Sequence, residues 1–299
     1  MLRLYVVGCG GIGGYVTQLL GECCASLALD YLERFGVDIT PYMENAGNCV
    51  IPSIVNSVTL IDGDTFDPHN AIRQGAGAGN KMLQRMIDLQ EKMIRKTFLR
   101  HVNIDGYNNY INPENAQMMI PLHVSHDDFH SENRAMFNDL NRRGYTNDIL
   151  YARDIPVIFV CVDNVKTRYE LSMYAESFDN ILVINGGNEK TTGDVQVYER
   201  RDGTALDPNL PELFSNIRPD VDKRPDELAC TVVAPKHDQV ALTNCAVAVK
   251  MMEMFCHWVT HSTLDDFPGR KGQTVRYNEV VLDENVFKSI PVSHSLTTN

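Results

Sequence analysis

The run Leu4-Tyr5-Val6-Val7-Gly8-Cys9-Gly10-Gly11-Ile12-Gly13-Gly14 constrains this chain more than any other stretch. A short apolar segment that passes at once into clustered glycines predicts a strand, a tight turn and the N-terminus of a helix. Such a turn is an anion site. Glycines let the backbone come close to a phosphate, and the helix end offers unpaired N–H groups and a partial positive charge. A bound nucleotide is therefore the first expectation. Many doubly wound folds share the glycine pattern, so the residues downstream decide which nucleotide and which chemistry.

The 299 residues are 43% hydrophobic and 22% charged, an ordinary globular balance. Net charge is 27 minus 39, or −12. An acidic chain repels nucleic acid and anionic membrane, so neither is expected as a general partner, while a local basic pocket remains allowed. Eight cysteines (Cys9, Cys23, Cys24, Cys49, Cys161, Cys230, Cys245 and Cys256) include no Cys-x-x-Cys pair, which disfavours a structural zinc site. The first strand begins within five residues of Met1, so no leader is expected, and no long apolar segment follows. Scattered thiols without a leader fit a reducing cytoplasm.

Past the first strand (4–8), a helical pattern runs from Gly13 to about Phe35, with Val16, Leu19, Leu20, Leu27 and Leu32 among its apolar positions. Residues 36–53 read as loop. Val58 to Ile61 reads as a second strand ending in Asp62-Gly63-Asp64, residues 80–97 as helix, 101–110 as strand and 112–119 as a helical turn. The polar stretch 123–154 is expected to be a surface insertion. Its His123, His126 and His130 with Asp127 and Asp128 have the composition of a metal cluster, but without a helical frame they read as solvated. Ile155 to Val162 is a strand ending at Asp163, Arg168 to Phe178 a helix, Ile181 to Ile184 a strand, and Asp194 to Glu199 a strand that turns at Asp202-Gly203. Four prolines mark 203–229 as an irregular crossover, Val240 to Val259 is an apolar helix, and 274–282 reads as a late strand. Alternating strands and helices predict an α/β fold: a doubly wound, mostly parallel, Rossmann-like sheet with helices on both faces. Residues 1–299 are expected to form one domain, with the insertion near 123–154 and the crossover loop near 203–229.

Four segments stand in a telling order. They are Gly8-Cys9-Gly10-Gly11-Ile12-Gly13; Ile61-Asp62-Gly63-Asp64; Asn70-Ala71-Ile72-Arg73-Gln74 with Lys81; and Asp163-Asn164 with Arg168. In this order they closely resemble the ThiF/MoeB/HesA family, adenylating domains related to ubiquitin-activating enzymes. The likeness runs from about residue 4 to about 260. Departures are the short spacing from Gln74 to Lys81, the absence of a helical segment before the first strand with its phosphate-reaching arginine, and the absence of zinc-binding cysteine pairs. The chain thus resembles a minimal, divergent member. Arg3 or a residue of the insertion is left to fill the missing arginine's place.

The resemblance implies a nucleotide site built from Gly8, Gly10, Gly11, Gly13, Asp62, Asp64, Asn70, Arg73, Gln74, Lys81, Asp163 and Asn164. The physics of each type agrees. Asp62 stands at a strand's C-terminal end, where a carboxylate suits ribose hydroxyls, while Asp64 is at least a turn former. Arg73 and Lys81 bring cations to a triphosphate, and Asp163 suits Mg2+, with an N-cap as its bland alternative. Arg168 is expected to be structural, pairing with a neighbouring carboxylate. Cys230, ahead of Pro235 and the late helix, is a candidate acyl acceptor, though a free cysteine is more often a small buried hydrophobe. The implied reaction uses ATP and magnesium to adenylate the C-terminal glycine carboxylate of a small ubiquitin-like or sulfur-carrier protein. Transfer to sulfur follows, with Arg73, Lys81, Asp163 and Cys230 as catalytic residues in a homodimer. Two alternatives compete. One is a nucleotide-holding scaffold for a ubiquitin-like partner. The other is an NAD-dependent oxidoreductase, whose ribose carboxylate is expected ~20 residues beyond the glycines.

Overall fold

Strand β1 (Leu2–Val7) is buried at every position. A run without polar alternation belongs in a sheet covered on both faces, and β1 lies at the centre of the sheet's five parallel strands. It pairs in parallel with β2 (Val55–Ile61) on one side and, on the other, with β4 (Ile155–Val160). Alternate side chains divide between two cores: Leu2, Leu4 and Val6 face one, Tyr5 and Val7 the other. The computed structural model describes residues 2–34, 54–66, 79–95, 102–123, 154–188, 193–227, 241–261, 275–283 and 286–293.

β3 (Asn103–Tyr107), β2, β1, β4 and β5 (Ile181–Asn188) are parallel. β6 (Gly193–Arg201), β8 (Val275–Asp283) and β9 (Val286–Ser293) continue the sheet antiparallel. Among the described residues the sheet thus has nine strands in the order β3-β2-β1-β4-β5-β6-β8-β9, with the short β7 (Thr204–Ala205) beside β6. The fold is the expected doubly wound α/β class. Pro156 is tolerated in β4 because the ladder to β5 begins only at Val157.

Helices cover both faces. One is covered by α1 (Gly11–Arg34), α2 (Lys81–Arg95) and α6 (Ala241–His261), through Ile12, Val16, Leu20, Met82, Leu89, Val247, Phe255 and Trp258. The other is covered by α3 (Ala116–Met119) and α4 (Val165–Ala175). Helix α5 (Leu210–Leu213) opens with a capping box at Asn209 and Glu212. The Asp202-Gly203 turn is as expected, both residues having positive φ (50° and 74°). β9 was not expected from the sequence, and its Pro291 is accommodated because β9 is the sheet's edge.

The register sets up the site. Val7 is level with Ile61 and with Val160, so Gly8, Asp62 and Cys161 emerge side by side from three strand ends. The chain leaves β1 toward β2 and β3, then returns to β4 on β1's other side. Ligands of doubly wound sheets bind at such a switch point.

Candidate functional site

The turn after β1 is held from both sides. Gly8 N–H donates to Ile61 O at 2.9 Å, and Cys161 N–H donates to Val7 O at 2.8 Å. Gly8 has φ +87°, and a Cβ there would lie 2.9 Å from the Cys161 carbonyl group. Gly13 is excluded from substitution more severely, since its Cβ would lie 1.7 Å from Gly8 O. These two glycines let α1 start directly above the strand end. The first N–H groups of that helix then have no carbonyl a turn earlier, which makes them donors for an anion.

Asp62 is 9% exposed and grips the turn. Its Oδ2 accepts from Cys9 N–H at 2.6 Å and its Oδ1 from Asp64 N–H at 2.8 Å. Burial pushes its carboxyl above the ordinary range, while Lys81 and the two N–H donors pull it back. The residue read as a ribose partner thus also shapes the glycine turn. Burial, then Asp62, also raises the Cys9 thiol well above its ordinary value, which keeps it protonated.

Asp64 joins this turn to α2. Lys81 Nζ donates to Asp64 Oδ2 at 2.9 Å, and Tyr110 OH donates to Asp64 Oδ1 at 2.6 Å. Lys81 N–H donates to Asp64 O at 3.0 Å. Asn80 caps α2, its Oδ1 accepting from Leu83 N–H at 2.8 Å. Lys81 is therefore brought to the strand ends, with its side chain 8% exposed. Arg85, one turn along α2, arrives as well. A Cβ on Gly14 would meet its Nη2 at 2.8 Å, and its guanidinium lies 5.3 Å from the Phe66 ring centre. Sequence reading missed Arg85, although its i+4 spacing from Lys81 places both on one helix face. Tyr110 left no comparable signal.

Asp163 is exposed beyond the end of β4. The N-cap of α4 is Asn164, whose Oδ1 accepts from Thr167 N–H at 2.8 Å, so the capping alternative for Asp163 falls. Arg168 is structural as expected, but it holds carbonyls rather than a carboxylate. It donates to Val162 O, to Gly186 O at 2.8 Å and to Asn185 Oδ1 at 2.6 Å, tying β4 to β5. Arg3 lies at the opposite end of β1. It is 2% exposed and bound to Asp154, Tyr5 and Pro121 O, so it does not fill the missing arginine's place. Asn70, Arg73, Gln74 and Cys230 lie outside the described residues, as do His126, Asp127, Asp128 and His130. Among the described residues no group of three or more His, Cys, Asp or Glu is placed to hold a metal, and no helix is long and apolar enough to cross a membrane.

No family model matches this chain, and no curated protein matches it. Solved structures do. The Microcin C7 biosynthetic enzyme MccB, in complex with N-formylated MccA, is 13% identical with a TM-score of 0.50 over 99% of this chain and 66% of its own. E. coli MccB with ATP gives 13% and 0.49 over 99% and 65%, and PaaA gives 14% and 0.47 over 98% and 64%. The chain spans less than two thirds of the length of these proteins, and at such identity the likeness is one of fold.

Proposed function

We propose that this chain binds MgATP at the glycine turn and adenylates a carboxylate. The substrate is the C-terminal glycine of a small ubiquitin-like or sulfur-carrier protein. The observation that carries the reading is the cradle itself. Two glycines that admit no side chain open a long helix at the strand ends, and an otherwise acidic chain brings Lys81 and Arg85 there. That is the arrangement a triphosphate requires. The four ordered motifs read from the sequence point the same way. A small polypeptide partner also agrees with MccB, solved in complex with MccA.

In this reading the substrate carboxylate attacks the α-phosphorus and pyrophosphate leaves. The protein supplies no nucleophile for that step; it positions the reactants and neutralises charge. Lys81 and Arg73 face the phosphates. Asp163, an exposed carboxylate at a strand end, suits magnesium, which binds through one or two carboxylates plus phosphate oxygens and neutralises charge on them. Asn70, Gln74 and Asn164 complete the nucleotide site. The Cys230 thiol gives up its proton and takes the acyl group from the adenylate as a thioester, AMP leaves, and the protein works as a homodimer.

Calorimetry with MgATP tests the binding half. The wild-type chain is expected to bind, with Lys81→Ala and Arg73→Ala each weakening affinity about ten- to a hundredfold, the loss of one charge-assisted hydrogen bond. No heat of binding to the wild-type chain would remove the reading. Pyrophosphate exchange in the presence of a candidate carrier tests the chemistry. Binding without exchange, with a carrier shown to bind, makes the chain a scaffold instead. With exchange intact, Cys230→Ser is expected to block acyl transfer alone.

A further inference from the structure

Two long helices, α1 and α6, pack against each other, and the first turn of α6 meets the first residue of α1. The meeting residue is Asn244, 1% exposed. Its side chain lies against Gly11 so closely that a Cβ on Gly11 would fall 2.4 Å from Asn244 Nδ2. Its Oδ1 accepts a hydrogen bond from Asn188 Nδ2 at 2.6 Å, from the last residue of β5. That bond orients the amide and turns Nδ2 toward the glycine turn. There Nδ2 is buried and, among the described residues, has no hydrogen-bond partner.

A buried amide donor without an acceptor is rare because it has left water and gained nothing in return. Packing alone does not explain it: Ala or Ser would fit against Gly11 without two idle donors. The place where Nδ2 sits supplies the reason. The opening N–H groups of α1 lie beside it, the positive ends of two helix dipoles converge there, and Lys81 and Arg85 approach the same turn. The backbone donors, the two helix ends and the two cations favour a multiply charged anion there, against the Asp62 and Asp64 carboxylates that brace the turn.

We propose that Asn244 is an anion-binding residue whose Nδ2 donates to a phosphoryl oxygen held at the N-terminus of α1. Its ligand is an oligophosphate, as part of a nucleotide or free. The proposal rests on the glycine turn being a phosphate site, as in the proposed function, but not on any adenylation step. Asn188 is then a positioning residue, setting which way the amide faces.

Calorimetry of the full chain with ATP, pyrophosphate and adenosine, each with magnesium, tests it on the wild type, Asn244→Asp and Asn244→Ala. The Asp variant keeps the shape and the acceptor for Asn188 but sets a negative acceptor where the donors were. The Ala variant removes the donors without adding charge, so it separates a lost contact from general repulsion. Asn244→Ala is expected to bind ATP and pyrophosphate about tenfold more weakly, and Asn244→Asp more weakly still, with adenosine affinity unchanged in both. Thermal unfolding shows that each variant is folded. If Asn244→Asp does not fold, Asn244→Ala decides alone. A folded Asn244→Ala that binds ATP and pyrophosphate like the wild type overturns the proposal while the nucleotide reading stands. So does an equal loss for adenosine, which marks a packing role. A wild-type chain that binds pyrophosphate but not ATP removes the nucleotide reading, and the pyrophosphate arm then decides Asn244 by itself. Binding of neither ligand removes both.

Discussion

Asp62 carries a charge that its surroundings resist and its partners require. Burial raises its carboxyl, whereas Lys81, Cys9 N–H and Asp64 N–H favour the ionised form. The raised folded value means that the folded chain holds this proton more strongly than the unfolded one. This group's contribution therefore weakens as pH rises from the unfolded value near 3.8 through the folded value, and is constant above it. Asn at this position has no proton to lose. Urea unfolding over a pH series is expected to show Asp62→Asn gaining on the wild type across that window. At neutral pH the variant remains less stable by about 1–3 kcal/mol, because one N–H faces a donor instead of an acceptor. A difference that does not move with pH would refute the burial argument. The thiols give a second test at this scale. Burial raises Cys9, and it pushes Cys161 up to about 12, with Arg168 offsetting part of the rise. Iodoacetamide at a mildly alkaline pH of about 8 is expected to leave both unmodified in the folded chain and to label them after denaturation. Labelling of either in the native protein would show that the strand ends open.

Between elements, α4 shows how a helix and the crossover hold each other. Asn164 caps the helix from within, and Asp222 caps it from the crossover, accepting from Val165 N–H at 2.7 Å and Lys166 N–H at 2.8 Å. Arg224 adds a two-oxygen contact to Glu170 at 2.7 and 2.9 Å. Carboxylates at a helix N-terminus satisfy orphan donors and meet the positive end of the dipole. Asp222→Ala is expected to cost about 1–2 kcal/mol and to speed amide exchange at Val165 and Lys166. Unchanged exchange there would mean that the crossover does not stabilise α4. This cap explains why α4 begins at Val165 where the sequence pattern pointed to Arg168. The helical periodicity was legible, but Asp222 lies 57 positions beyond the first amide it caps. β9 escaped notice for a related reason. Pro291, in a stretch that also carries Lys288 and Ser289, argues against a strand until the strand is known to be an edge.

Over the whole molecule, an acidic chain of net charge −12 sets Lys81 and Arg85 at the ends of its central strands. Attraction of a polyanion to those strand ends works against the overall field, so ATP affinity is expected to change less with salt than in a basic nucleotide-binding protein. NADH is expected to leave its own fluorescence unchanged on mixing, since Asp62 lies 49 residues past Gly13 and already binds two backbone amides. An NADH signal would favour the oxidoreductase instead. The opening strand, turn and helix were determined by the sequence alone, because their causes are local: the apolar run Leu4 to Val7 for a strand covered on both faces, and Gly13 where a Cβ would strike the Gly8 carbonyl. Only the tertiary structure decided which side chains reach that turn. Parallel register levels the ends of β1, β2 and β4, so Asp62 grips Cys9. The packing of α2 and α6 on α1 sets Arg85 against Gly14 and Asn244 against Gly11. No local pattern around Asn244 announces this, and Arg85 has only its i+4 spacing from Lys81, because a residue's type says what it can bind, while the packing of helices far apart in the chain says where it stands.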